Sequence, residues 1–329
     1  MQIIGLTKDN VEFFTDYLTA DVAENIGRLF ISGIVLIADG EAASDEEAPV
    51  DEAPSYADMT PVGAIVWELM HGEGEEDYDC RILSVKANDE EAADALLREY
   101  TGIVVSMECK TSYFDLPSTL GSVEKKALEK AGFSLETREG DVVSIALADL
   151  GMELDSDGKL DNGIKPLSEA NESDFGNAIM RLDDEDKRGS CADMPYLPKD
   201  YFDGEISCYK DDGDLVNAIV LMHRRPSGKI DVDLAEVIED AGEDIKKLLK
   251  QSVLYAEDIY DPGTKFFFDR SNAALRQLTN ELFPKVKGSR ICSGFRQEEL
   301  PEKEEGEDED YSLEDYYMEG EDLEEDDIF

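Results

Sequence analysis

The chain has 329 residues, of which 41% are hydrophobic, enough to fill the cores of two domains. Lys and Arg number 31 against 80 Asp and Glu, which gives a formal net charge of −49. Such a surface repels phosphate backbones and anionic membrane faces, so we expect neither nucleic acid nor a membrane as a partner.

The five cysteines are scattered, without a CxxC pair or a histidine at ligand spacing. This usage is typical of reduced thiols in a cytoplasmic protein and predicts no metal site. The first residues, MQIIGLTKDN, do not combine a positively charged region with an apolar run. No segment has the roughly 18 consecutive apolar residues that a membrane helix needs. We therefore expect a cytoplasmic protein.

Apolar periodicity and turn residues predict the elements of the first half. Acidic residues, prolines and a lack of periodicity indicate that residues 41–60 are a solvated insert within a β-hairpin. The predicted elements are a strand at 2–7, a helical pattern at 9–29, strands at 30–40, 62–71 and 80–86, a helix at 87–100, a strand at 103–108, a helix at 118–133 and a two-strand hairpin over 134–147.

The second half repeats this order. The strand VGAIVWELMH at 62–71 returns as VNAIVLMH at 216–223, and aligning Ala64 with Ala218 gives an offset of 154 residues. This offset is about one ordinary domain, so a tandem repeat is indicated. The predicted elements are a strand at 163–168, a helix at 171–182, a strand meander at 205–237, a helix at 242–258, a strand at 264–271, a helix at 272–283 and a strand at 289–295.

These elements predict an α+β fold class with two tandem domains. Each domain is expected to have a mixed, mostly antiparallel sheet that is flanked by helices. The predicted division is a first domain at 1–152, a linker at 153–162, a second domain at 163–296 and an acidic, disordered tail at 297–329.

Three segments resemble the Gcn5-related N-acetyltransferase (GNAT) superfamily. ADGEAAS…PVGAIVWEL, RILSVKANDEEAADALL and VEKKALEKAGF are similar to its β-hairpin, its cofactor strand and helix, and its penultimate helix. The resemblance covers most of 1–150 and, more faintly, 163–296. It implies two GNAT-like domains, acetyl-CoA as the cofactor, and an amine of a small molecule or peptide as the acyl acceptor.

The resemblance also implies where the cofactor lies, at the turn between the third meander strand and its helix. Val85, Ala87, Ala92 and Ala93 are the implied cofactor-binding residues. In the family, glycines in this turn let backbone amides approach the pyrophosphate at the start of the helix. Here the acidic run at 89–91 crowds that place, and like charges repel. The second copy reads EVIEDAGEDIKKLL, in which acidic residues at 239–240 and 243–244 surround Gly242. Neither loop is well made for coenzyme A, and the cofactor motif is therefore degenerate.

A general base for the acceptor amine is implied on the meander, where Glu68 and Asp79 are the candidates. The tyrosine that many members use as general acid is replaced here by Leu128. Because attack of an amine on a thioester needs mainly positioning and a base, this departure does not exclude transfer. Two functions stay open: an acyl-CoA-dependent N-acyltransferase, and a catalytically inactive tandem scaffold that binds a protein or small ligand.

Three further features have simpler interpretations. His71 and His223 end equivalent strands and are interpreted as strand-end histidines at hydrogen-bonding turns. Residues 153–164 have calcium-loop spacing but end on Ile164 where a glutamate is needed, so a linker is favoured. The tail interleaves aromatic and acidic residues, which is typical of a disordered end or of a segment that docks on a basic protein.

Overall fold

A computed structural model gives the structure of the protein and describes residues 1–38, 56, 59–71, 78–154, 160–185, 187, 189, 194–211, 215–238 and 245–300. Most of the predicted acidic insert and nearly all of the predicted tail lie outside these residues. No helix in the described part of the chain is both long enough and apolar enough to cross a membrane.

The helices and strands follow the alternation that the sequence predicts. In chain order they are β1 (Gln2–Gly5), α1 (Ala20–Ala23), β2 (Ile31–Ile37), β3 (Pro61–His71), β4 (Tyr78–Ala87), α2 (Glu90–Ser106), β5 (Thr111–Pro117), α3 (Ser122–Lys130), β6 (Ser134–Glu139), β7 (Val142–Ala146), α4 (Leu147–Glu153), β8 (Ile164–Pro166), α5 (Glu172–Asp184), β9 (Cys208–Asp211), β10 (Val216–Arg224), β11 (Ile230–Val237), α6 (Ile245–Ile259), β12 (Lys265–Asp269), α7 (Ala273–Leu282) and β13 (Arg290–Gln297).

The strands form two mixed sheets. Sheet 1 has the order β1-β2-β3-β4-β5-β13-β6, and sheet 2 has the order β7-β12-β11-β10-β9-β8. Each sheet has one parallel pair, β4 with β5 and β11 with β12, while its other neighbours are antiparallel. The predicted fold class is confirmed. We call sheet 1 with the elements packed on it the first domain, and sheet 2 with its elements the second domain.

The two sheets exchange strands. β13 comes from the end of the folded chain but lies between β5 and β6 in sheet 1, whereas β7 pairs with β12 in sheet 2. The predicted hairpin over 134–147 is therefore wrong. The chain crosses between sheets at Gly140, whose amide donates to the carbonyl of Ser289 at 2.9 Å. Consequently, the predicted division at 152 and 163 does not coincide with the division into sheets.

Helices cover both sheets. On β3 the side chains alternate as a strand requires: Ile65 and Trp67 pack under α2 and α3, while Ala64 and Val66 face the amino-terminal segment. In the second domain, α4, α6 and α7 cover one face of sheet 2 and α5 covers the other. The repeated strand therefore takes the same place in both sheets, since β3 and β10 are each flanked by antiparallel meander strands.

Two further predicted elements are wrong. The strand predicted at 103–108 is the last part of α2, because Val104 is buried one turn beyond Tyr100 on the same helix face. The strand that follows is β5. The helical pattern predicted at 9–29 divides into a single 3-10 turn at 11–14 and the short α1, whose N-cap is Thr19.

Candidate functional site

Both parallel strand pairs separate part-way along their length. In the first domain, β4 pairs with β5 only from Asp79 to Ile82. The next residue, Leu83, is a β-bulge, since Val66 lies opposite Ser84 while Trp67 lies opposite Ile82. Beyond the bulge β4 continues without its parallel neighbour. We call the end of the parallel ladder the apex of the sheet.

The second domain has the same irregularity at the same place. β11 pairs with β12 from Ile230 to Val232, and the register with β10 then shifts. The extra residue is Asp233, because Leu221 lies opposite Leu234 while Met222 lies opposite Val232. The bulge at the apex therefore carries a leucine in the first domain and an aspartate in the second.

In the first domain, the space past the apex is taken by the chain itself. Glu124, in the first turn of α3, is 7% exposed, and its Oε1 accepts a hydrogen bond from the amide of Ala87 at 3.1 Å. Its other oxygen lies against Gly121, where an added Cβ would be only 2.2 Å away. The amide at the end of β4 therefore has an internal acceptor.

The start of α2 is also satisfied from within the chain. Asp89 Oδ1 caps the helix by accepting from the amide of Ala92 at 2.9 Å. Glu90 pairs with Lys126 of α3 at 2.7 Å. Together with a second ion pair between Asp94 and Lys130, this contact joins α2 to α3. Exposed pairs of this kind stabilise little, but they bring the positive charges of α3 to the acidic residues of α2.

The equivalent space in the second domain is an open groove of about 590 Å³ between the end of β11, the start of α6 and α7. We call it the second-domain groove. Its volume lies within the roughly 300–1,000 Å³ of ligand pockets. Two cations line it: Lys187, which donates to the carbonyl of Val237 at 3.1 Å, and Lys246, which pairs with Glu281. Burial raises the pKa of Glu236 in its wall, against the opposing effect of Lys187.

A second space of about 210 Å³ lies between the two domains on the opposite side of the apex. We call it the central cavity. It is rich in charged groups from both domains. Its polar lining consists of Asn25, Arg28, Glu68 and Arg81 from the first domain and Arg225, Asp231, Asp233 and Asp269 from the second.

Asp233 is the most deeply buried of these acids, with 2% of its surface exposed. Burial and the neighbouring Asp231 carboxylate raise its pKa to about 6, against the opposing positive charges of Arg225, His223 and Arg28. Asp231 is itself bound to Arg225, whose Nε lies 2.6 Å from Oδ2. Asp233 therefore changes its charge close to neutral pH, at the apex and in the wall of a cavity.

No protein-family model matches the chain, and no curated protein sequence does. Solved structures do match. A tandem GNAT protein from the clavulanic acid biosynthesis pathway, without acetyl-CoA, is similar with a TM-score of 0.54 and 10% identity, over 91% of this chain and 99% of that one. Its tandem character agrees with the two sheets of this chain. The chain has the tandem GNAT fold.

Two GCN5-related N-acetyltransferases are also similar. The one from Kribbella flavida has a TM-score of 0.45 and 9% identity, over 73% of this chain and 88% of that one. The one from Anabaena variabilis has a TM-score of 0.46 and 12% identity, over 91% and 73%. At 10% identity, the similarity to the tandem GNAT protein shows the fold and says nothing of the chemistry.

The residues that the GNAT resemblance implies for the cofactor line the core of the first domain. Ala92 and Ala93 are completely buried, and Val85 is 6% exposed. Ala87 is partly buried, and its amide is bound by Glu124. The contact of these residues with a cofactor stays a prediction.

The two predicted bases lie apart. Glu68 lines the central cavity but is paired with Arg81, whose Nε lies 3.1 Å from Oε2. Asp79 accepts a hydrogen bond from the hydroxyl of Thr111 on β5. It is not among the residues that line the central cavity. The catalytic role of either residue stays a prediction.

The sequence alone does not indicate Asp233 as a candidate site residue. The strand IDVDLAEV alternates apolar and acidic residues, a pattern typical of a strand with one solvated face. The register shift that makes Asp233 a bulge depends on its pairing with β10 and has no local signal. Helices are nevertheless predicted in the chain both before and after the meander. Because helices there can cover its strands, an acidic residue within the meander is a candidate for burial.

The two histidines differ in what surrounds them. The backbone of His71 pairs with Tyr78, and its side chain lies outside the described residues. His223 is buried, with Nδ1 2.6 Å from the carbonyl oxygen of Tyr201 and Nε2 3.1 Å from Oε2 of Glu24. It therefore joins the two domains. No group of three or more His, Cys, Asp or Glu among the described residues could hold a metal ion.

Proposed function

We propose that the protein is an acyl-CoA-dependent N-acyltransferase whose second domain alone binds the cofactor. The observation that carries this proposal is the arrangement around Asp233. An open groove lies past the apex of sheet 2, and a titratable carboxylate faces a cavity on the other side of the same apex. In the first domain the bulge residue is Leu83, and Glu124 is bound to the amide at the end of β4.

The residues of the second-domain groove fit a coenzyme A thioester. Its volume suffices for a large part of such a ligand, and its lining joins apolar side chains of α6 and α7 to two lysines. Lys187 is paired with Glu185 and Lys246 with Glu281, so both lysines would exchange these carboxylates for phosphate oxygens. When bound, the thioester supplies the activated acyl group. The acidic residues that precede α6 lie outside the described residues.

The first domain does not fit the cofactor. Glu124 holds the amide of Ala87, and its carboxylate would repel a pyrophosphate at the same place. The acidic start of α2 adds to that repulsion. We therefore assign the first domain a different task, which is to supply Asn25, Arg28, Glu68 and Arg81 to the wall of the central cavity.

Asp233 is the group best suited to act as a general base. An acceptor amine is protonated at neutral pH, and it must lose a proton before its nitrogen has a lone pair for attack. The ionised carboxylate of Asp233 would take that proton and become a carboxylic acid. The raised pKa of Asp233 favours this protonated form. Removing the charge should therefore lower the rate by about 10²–10⁴.

The proposal is tested by acetyl transfer to a panel of primary amines, with release of free CoA thiol as the readout. Asp233→Asn should bind CoA like the wild type and lose the transfer. Asp184→Asn, an exposed aspartate at the end of α5, is the matched control and should keep it. Equal activity in all three proteins would exclude Asp233 as the base.

The alternative function is a tandem scaffold that binds a ligand without chemistry. One observation favours it: Glu124 accepts the hydrogen bond of the Ala87 amide, at the place that the GNAT resemblance implies for the cofactor of the first domain. Absence of CoA binding at millimolar concentration, combined with binding of an amine by the same protein, would favour the scaffold.

A further inference from the structure

A third space lies beside the central cavity. It is a groove of about 660 Å³ between the domains, and it shares Arg81, Leu83, Val142, Phe267 and Asp269 with the cavity. We call it the interdomain groove. Because the two spaces have these walls in common, the groove is the route by which a small molecule would reach Asp233.

Asp269 is the acid that lines both spaces. It is the last residue of β12 and follows Phe268, whose partner on β11 is Val232. Asp233 follows Val232 in the same way. The two aspartates are thus the first residues beyond the parallel ladder, one on each strand, and both line the central cavity. Two carboxylates therefore flank the apex of sheet 2.

The equivalent positions of the first domain lack this pair. They are Leu83 on β4 and Asp115 on β5, because the ladder there ends at Ile82 and Phe114. Asp115 accepts a hydrogen bond from Arg138 Nη2 at 2.7 Å. The two acids at the apex are therefore particular to the second domain.

Two of the arginines that line the central cavity with Asp269 have other carboxylate partners. Arg81 is paired with Glu68, and Arg225 is paired with Asp231. One oxygen of Asp269 accepts from the amide of Ser271 at 2.8 Å. Among the described residues, no side chain donates a hydrogen bond to its other oxygen. This second oxygen of Asp269 can therefore accept a hydrogen bond from the ammonium group of a ligand.

The ring of Phe267 adds a second feature that suits a cation. Phe267 lies two residues before Asp269, on the same strand face, and also lines both spaces. The face of an aromatic ring attracts cations, and the ammonium of Lys229, which pairs with Asp21 at 3.3 Å, lies 5.5 Å from the ring centroid. The wall between groove and cavity is thus aromatic and acidic together.

We infer that the acyl acceptor is a small diamine, whose reacting nitrogen lies at Asp233 and whose second ammonium is bound by Asp269. The inference rests on the proposed function. Once the reacting nitrogen has given its proton to Asp233, it is neutral, so only a second positive charge can pair with Asp269. The cavity of about 210 Å³ has room for a short aliphatic chain, since a water takes about 30 Å³.

The test uses three probes that differ only in their second group, titrated into the full chain without cofactor. They are 1,4-diaminobutane, butylamine and 4-aminobutanoate. We expect 1,4-diaminobutane to bind at least about tenfold more tightly than butylamine, and 4-aminobutanoate to bind most weakly. An equal affinity for the first two probes, or tightest binding of 4-aminobutanoate, would overturn the inference.

Variants connect this preference to Asp269. Asp269→Asn should reduce the affinity for 1,4-diaminobutane to that for butylamine and leave butylamine unchanged, while Asp269→Glu should keep the preference. Asp141→Asn is the matched control, because this groove aspartate already contacts Arg138 at 3.2 Å. A preference that survives Asp269→Asn in a folded protein, as judged by its thermal unfolding, contradicts the assignment.

The same proteins separate this inference from the proposed function. Titration of CoA into each variant reports on the second-domain groove, which Asp269 does not line. CoA binding without diamine preference would overturn the acceptor assignment alone. Diamine preference without CoA binding would overturn the proposed cofactor site and keep the acceptor assignment as a binding function.

Discussion

Oε1 of Glu124 lies 3.1 Å from the backbone nitrogen of Ala87, the last residue of β4. The contact joins two elements 37 residues apart and gives a partly buried amide its acceptor. Loss of such a partner costs about 1–3 kcal/mol. Glu124→Ala should therefore lower the free energy of unfolding in urea by that amount, whereas Glu129→Ala on the exposed side of α3 should have little effect.

Glu124→Ala should also leave the CoA stoichiometry unchanged, because the acidic start of α2 and its ion pairs with α3 remain. A second bound CoA in this variant would show that Glu124 alone prevents CoA from binding to the first domain.

Asp233 has a predicted effect on stability as a function of pH. Its pKa is about 6 in the folded protein and 3.8 in the unfolded chain, so the folded state binds the proton more tightly. Its contribution to the free energy of unfolding is therefore largest in acid, falls as the pH rises from about 4 to about 6, and stays low above that. Asp233→Asn should remove this dependence and stabilise the protein at pH 8 by about 1–3 kcal/mol. Urea unfolding at pH 4 and pH 8 measures both effects.

The same group predicts the pH profile of the reaction. Since only the ionised carboxylate can accept a proton, kcat/KM for acetyl transfer should rise with pH and level off above about 6. A profile without any change between pH 5 and pH 7.5 would be incompatible with Asp233 as the base.

His223 and Glu24 join the two domains, with Nε2 of His223 3.1 Å from Oε2 of Glu24. The other ring nitrogen faces the carbonyl oxygen of Tyr201, so an imidazolium satisfies both contacts. A double-mutant cycle with Glu24→Gln and His223→Gln should give a coupling energy of about 0.5–1.5 kcal/mol. Strict additivity of the two substitutions would show that the contact does not stabilise the domain arrangement.

The strand exchange predicts that the first domain cannot fold alone. Residues 1–152 lack β13, which lies between β5 and β6 and pairs with both. We expect this fragment to show no cooperative unfolding by circular dichroism. Residues 1–298, which form one compact unit, should unfold like the full chain. A cooperatively folded 1–152 fragment would contradict the sheet order.

Much of the fold follows from local sequence. The alternation of VGAIVWELMH and VNAIVLMH predicts both central strands, and Asn272 predicts the start of α7. The strand exchange was beyond local reasoning, because Glu139-Gly140-Asp141 has the composition of a hairpin turn. What separates β6 from β7 is their pairing with strands more than 100 residues away.

The site was predicted less completely, for the same physical reason. The position of Glu68 on the meander predicts a general base there, and Glu68 does line the central cavity. No sequence pattern indicates Asp233 or Asp269 as site residues. Their importance depends on where the parallel ladder between β11 and β12 ends, and pairing register has no signature in either strand alone.

The central claim is that the second domain alone binds CoA, and a calorimetric titration of three proteins tests it most directly. Ala274 lines the second-domain groove, while its neighbour Ala273 is exposed outside it. The wild type and Ala273→Trp should each bind one CoA per chain, and Ala274→Trp should bind none. Binding that persists in Ala274→Trp, or two sites in the wild type, would contradict the claim.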